Sequence, residues 1–162
     1  MMQRRDIEKD ANELTKVYSD VPMPVYEIAR EKGLEVYVAD FGDYVDTFSG
    51  FCDFKKGNIY LNKMDIEERR SFTAAHELGH WVLHKDTYLA NPEKYEFMPK
   101  RRAIVNNHPD NDMEEEADFF ATCLLIPRHL IRKFQPRFSA RELADIFNVP
   151  WVLMEKRLKD IS

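Results

Sequence analysis

Cysteine is nearly absent: only Cys52 and Cys123 occur in 162 residues. They fall in segments that read as a buried strand and a buried helix. That excludes a scaffold of several disulfides and makes a reduced pair in a cytoplasmic protein the expectation. Long apolar runs are missing too. The opening MMQRRDIEKDANEL has no hydrophobic stretch, so no signal peptide is expected there, and no segment approaches a membrane span. Excess basic charge is also lacking. A net charge of −5 and a pI near 5.6 argue against nucleic acid as a direct partner, because phosphate binding needs a basic face. What is present, 44% hydrophobic and 33% charged residues, describes a globular chain long enough to bury a core without cross-links.

Ile7, Ala11, Leu14 and Tyr18 recur at helical spacing between charged residues and predict an amphipathic helix over about residues 4–19. Val21-Pro22-Met23-Pro24 breaks it. VYEIAREK is a second short helix that stops at Gly33. LEVYVADF, TFSGFCDF and NIYLN read as strands, the last two joined through Lys55-Lys56-Gly57-Asn58 as a hairpin. A helix starting near Asp65 follows. Residues 85–111 hold Pro92, Pro99 and Pro109 with little periodicity, so they read as a long loop. DMEEEADFFATCLL resumes helix, with Ala117, Phe120, Ala121 and Leu124 on one face. A short helix after Pro127 ends at Gln135-Pro136. Ser139-Ala140-Arg141-Glu142 is a capping box that opens ARELADIF, and Pro150 opens WVLMEKRLKDI. The last two helices have a helix-turn-helix look, but Trp151, Leu153, Met154 and Leu158 suit packing better than DNA reading.

The centre of the chain is His76-Glu77-Leu78-Gly79-His80, within FTAAHELGHWVLH. Residues four apart lie one above the other on a helix, so His76 and His80 can offer two imidazole nitrogens to one cation. Glu77, turned about 100° from His76, can reach a water beside that cation. This is the HExxH pattern of zinc peptidases, with the glutamate as general base. Phe72, Ala75, Leu78, Gly79, Val82 and Leu83 give the helix an apolar stripe beside the histidines. His84 continues the histidine row, but its Cα lies ~12 Å from that of His76 on a straight helix. It cannot share the ion and reads as a helix-end residue facing the macrodipole.

A catalytic zinc takes three protein ligands and keeps one position open. No third histidine has suitable spacing, which leaves carboxylates, and Glu114-Glu115-Glu116 heads the next apolar-faced helix. Glu114 and Asp118 share a face at i, i+4. With Glu114 as ligand, Asp118 can accept the outer N–H of a ligand histidine; Glu115 and Glu116 are the alternative ligands. Gly79, Ala117 and Ala121 would let the two helices approach closely.

With these motifs the chain resembles the ImmA/IrrE family of metallopeptidases. The similarity runs from GLEVYVADF through the SGF…GNIYLN hairpin and RRSFTAAHELGHWVLH to EEEADFFATCLLIP and the final helices. It also resembles the gluzincin arrangement, in which a glutamate four residues before Asp or Asn completes the site, here Glu114 before Asp118. The resemblance implies an α+β zincin-like domain, with a small sheet of about three strands beside the HExxH helix. On that basis residues 1–134 form the peptidase domain and residues 135–162 a helical pair packed on it. It further implies a zinc-dependent endopeptidase that cleaves one regulatory protein: a helix-turn-helix repressor of a phage or mobile element, or a stress regulator. Mixed histidine–carboxylate sets also accept manganese or iron(II). His108, Tyr95 and His129 are the candidates for a second oxyanion donor, and an edge strand near TFSGFCDF for substrate addition. The competing expectations are a metal-binding regulator that acts by contact without proteolysis, and the partner half of a toxin–antitoxin module.

Overall fold

Ile7 and Ala11, spaced as a helix requires, are buried on α1 (Arg4–Thr15). A computed structural model describes residues 1–95, 100–101 and 111–162 of the chain. Helix α2 (Val25–Glu31) ends where Gly33 takes φ +90°. That left-handed residue lets the Gly33 and Leu34 N–H groups reach back to the carbonyls of Arg30 and Ala29.

The chain then enters β1 (Glu35–Ala39), β2 (Phe48–Asp53) and β3 (Asn58–Asn62). The turn from β2 to β3 uses Gly57 at φ +71°, and Asp53 accepts the backbone N–H groups of Lys55 and Lys56. With the two-residue β4 (Lys100–Arg101) the sheet has the order β1-β3-β2-β4. β1 is parallel to β3, and β2 is antiparallel to both β3 and β4. The expected edge position of TFSGFCDF is therefore corrected: Phe48 and Gly50 of β2 pair with Arg101 and Lys100.

The inner face of the sheet carries Cys52, Ile59 and Leu61, all buried. Cys52 and Cys123 are both free thiols. A Cβ on Gly50 would lie 2.6 Å from the Tyr60 carbonyl oxygen and 2.8 Å from Thr73 Cγ2. Side-chain-free backbone at Gly50 thus lets helix α3 (Glu67–Ala90) settle directly on β2.

Helix α3 overturns the expected stop at His84 and much of the expected loop. It runs through Lys85-Asp86-Thr87-Tyr88 to Ala90, and α4 (Pro92–Tyr95) follows at once. Nothing in that stretch breaks a helix, and Tyr88 is buried with its ring stacked on Phe54 at 4.2 Å. Helix α5 (Asn111–Leu125) buries Ala117, Phe120, Ala121 and Leu124 along α3. After α6 (Arg128–Phe134), the reciprocal Ser139–Glu142 capping box opens α7 (Ala140–Phe147). The last helix is α8 (Trp151–Ile161), whose Arg157 is fully buried. The architecture is α+β, with helices around a small mixed sheet. Among the described residues no helix is long and apolar enough to cross a membrane.

Candidate metal centre

His76 and His80 sit one turn apart on α3, and both are buried because this face of the helix meets α5. The closeness of the two helices comes from small residues. A Cβ on Gly79 would lie 3.0 Å from Phe120 Cδ1 and 3.2 Å from the Ala117 carbonyl oxygen. Into this contact α5 brings Glu114. Its Oε1 lies 2.7 Å from His80 Nε2 and its Oε2 3.1 Å from His76 Nε2, while the two Nε2 atoms are 3.0 Å apart. One ligand atom from each of the three residues therefore faces a common point.

The outer nitrogens of both rings are engaged as well. His76 Nδ1 lies 2.7 Å from Asp118 Oδ1. His80 Nδ1 lies 3.0 Å from His84 Nδ1 and 3.3 Å from the Tyr88 hydroxyl. His84 Nε2 in turn lies 3.3 Å from Glu116 Oε1. His84 is thus not a helix-end residue: it is buried in the body of α3, where an unbroken helix carries it against α5. Of the alternative ligands, Glu115 is exposed, and Glu116 faces His84 rather than the pair of Nε2 atoms.

Burial pushes His80 down to about 4, opposed by the adjacent Glu114 carboxylate. Burial alone would raise Glu114, but its close contacts with His76 and His80 outweigh it and hold the carboxyl far below its usual range. A neutral imidazole beside an ionised carboxylate is the state in which both are metal donors. Two imidazole lone pairs and a carboxylate oxygen aimed at one point repel one another unless a proton or cation lies between them. A tetrahedral ion bonded at ~2.0–2.1 Å spaces its donors ~3.3–3.4 Å apart. The observed separations need to widen by only a few tenths of an ångström on average, so the donor set fits a divalent cation.

Glu77, next to His76 on α3, is also buried. It lies near Cys52 on β2, whose thiol is raised first by burial and then by the Glu77 charge. His129 is elsewhere: its Nε2 lies 3.0 Å from the Tyr18 carbonyl oxygen, joining α6 to the segment after α1. His108 lies outside the described residues, as does the side chain of Tyr95. The pairing of His84 with Glu116 was missed in the sequence. Its one available sign was the row His80, His84, Tyr88 at i, i+4 with no helix breaker between them.

Comparison with known proteins bears on the family and the fold. The family described as Peptidase M78, IrrE N-terminal-like domain, matches residues 29–159. That span includes the sheet, helices α3 and α5 and nearly all of α8. A solved structure from Mycobacterium tuberculosis, named a transcriptional regulator, is similar at a TM-score of 0.68 with 18% identity, which shows a shared fold. The match covers 94% of this chain and 55% of the mycobacterial one, so the chain spans about half the length of that protein. No curated protein matches the chain.

Proposed function

The chain belongs to the Peptidase M78 family, the IrrE N-terminal-like domain, and on that premise we propose that it is a zinc-dependent endopeptidase that cuts one regulatory protein. The observation that carries this reading is the convergence of His76 Nε2, His80 Nε2 and a Glu114 oxygen from two different helices. Each ring has its other nitrogen held by a neighbouring side chain, as metal-binding histidines require.

His76, His80 and Glu114 would hold the ion, which supplies Lewis-acid polarisation of the scissile carbonyl and acidification of a water. Asp118 accepts the His76 Nδ1–H and keeps that ring's Nε2 lone pair turned inward. Glu77 takes the proton of the attacking water on its carboxylate and delivers it to the leaving amine nitrogen. Buried surroundings shield both transfers from bulk water. The substrate proposed is a helix-turn-helix transcriptional repressor.

The test is to incubate purified, zinc-loaded protein with each helix-turn-helix regulator encoded beside its gene, and to follow the products by mass spectrometry. Wild type should yield two fragments from one of them. Glu77→Gln should bind zinc equally and cleave at least 100-fold more slowly, the order of a lost general base. Equal inactivity of the two proteins, both with zinc bound, would defeat the peptidase reading and leave regulation by contact in its place.

A further inference from the structure

His76 and His80 are held in different ways. His76 has a carboxylate directly on its outer nitrogen, Asp118 Oδ1 at 2.7 Å. His80 has an imidazole there instead, and the carboxylate comes one step later. The sequence of contacts is His80 Nδ1 to His84 Nδ1 at 3.0 Å, then His84 Nε2 to Glu116 Oε1 at 3.3 Å. Glu116 Oε2 accepts the backbone N–H of Met2 at 2.7 Å, which holds the carboxylate from its far side. Glu116 and His84 are both buried.

A neutral imidazole has one N–H and one lone pair, so each link in this chain fixes the next. A carboxylate oxygen accepts, so His84 meets Glu116 Oε1 with its proton on Nε2. His84 Nδ1 is then a lone pair, and His80 must meet it with an N–H on Nδ1. That leaves the His80 Nε2 lone pair pointing at Glu114 and His76, where a cation would sit. The opposite tautomer would place the His84 Nε2 lone pair against the Glu116 carboxylate in a buried setting, an arrangement that costs an unmade hydrogen bond to a charged group.

We propose that Glu116, acting through His84, locks His80 in the tautomer that presents its Nε2 lone pair to the metal. His84 and Glu116 are positioning residues; neither touches the reacting atoms. This inference rests on the metal reading of His76, His80 and Glu114.

Zinc affinity, measured by competition with a chromophoric chelator, tests it without any assay of proteolysis. His84→Leu and Glu116→Gln should each weaken zinc binding about 10- to 100-fold, the usual effect of removing a ligand's outer partner. Glutamine in place of Glu116 can offer an N–H to His84 and so permits the reversed tautomer. His84→Gln, with a carbonyl to accept and an amide to donate, should recover most of the loss. Tyr88→Phe removes the other neighbour of His80 Nδ1 and should leave the affinity near that of wild type. In the zinc-loaded wild type, ¹⁵N shifts of the imidazoles should place the His84 proton on Nε2; this needs no variant to fold.

A proton on His84 Nδ1, or wild-type affinity in both His84→Leu and Glu116→Gln, would overturn the proposal. So would a large loss in Tyr88→Phe alone. A wild type that takes up no zinc would instead overturn the metal reading, and this inference with it.

Discussion

Gly79 shows how one missing methyl can matter more than the residues around it. In a helix interior, glycine is about 1 kcal/mol less favourable than alanine, so its place on α3 between the two histidines needs a cause. A Cβ there would stand 3.2 Å from the Ala117 carbonyl oxygen and 3.3 Å from the Ala117 Cα. Both belong to the α5 backbone and cannot step aside as a side chain could. Gly79→Ala should therefore gain helix propensity, lose about 1–3 kcal/mol to overpacking, and wedge α5 away from α3. Because Glu114 rides on α5, zinc affinity should fall along with the melting temperature. Chelator competition alongside thermal denaturation checks this; a raised melting temperature with unchanged zinc affinity would show that the contact is not tight. Here sequence reasoning reached the right cause, since small residues opposite one another on two apolar faces have few other uses.

At the scale of elements, α3 and α5 supply every proposed ligand, and His80 and Glu114 are 34 positions apart in the chain. An ion bound to both helices is a cross-link that the unfolded chain cannot hold in the same way. At free zinc 100 times above its dissociation constant, that linkage contributes about 2.7 kcal/mol. Stripping the metal with a chelator should lower the melting temperature, and returning zinc should restore it. An identical melting curve for stripped and reloaded protein would argue against an ion shared by the two helices.

The same pair of helices marks where sequence reading succeeds and fails. The grouping of HELGH with Glu114 was legible because two candidate donors at i, i+4 need only one helix and a metal site of that kind asks for a third; the structure brings the three side chains together. The far end of α3 was not legible. His84 looked terminal only because the apolar stripe thins after Leu83, whereas Tyr88 carries the burial one turn further on. The His84–Glu116 contact joins positions 32 apart and depends on the register of α3 against α5, which no local pattern encodes. A strand as short as Lys100–Arg101 shows no alternation to detect, and its pairing moved β2 from the edge to the interior.

Across the whole molecule, one carboxylate ties the first helix to the last. Glu8 on α1 accepts from Arg128 on α6 at 2.9 and 3.0 Å, and from the fully buried Arg157 on α8 at 2.7 Å. Arg157 also donates Nε–H to the Ile126 carbonyl oxygen at 3.1 Å. Burial alone would raise Glu8, but hydrogen bonds and charge from Arg128 and Arg157 outweigh it and hold the carboxyl below its ordinary value. A carboxyl depressed in the folded state stabilises the protein above its unfolded pKa, and that stabilisation is lost as pH falls through the lower folded value. Glu8→Gln removes the charge from a pair whose other half is buried and should cost about 3 kcal/mol at neutral pH. Below pH ~4.3, where the unfolded carboxyl is protonated, the gap between variant and wild type should begin to close. The position of Glu8 also bears on the helical pair at 135–162. With α8 anchored to α1 through Arg157, those helices are expected to unfold together with the rest of the chain. In a Trp81→Phe background, Trp151 alone reports α8, and its fluorescence should follow the same melting curve as the far-ultraviolet circular dichroism. Glu8→Gln should shift both curves by the same amount; a Trp151 transition that moved while the circular dichroism stayed in place would mark residues 135–162 as a separately folding unit.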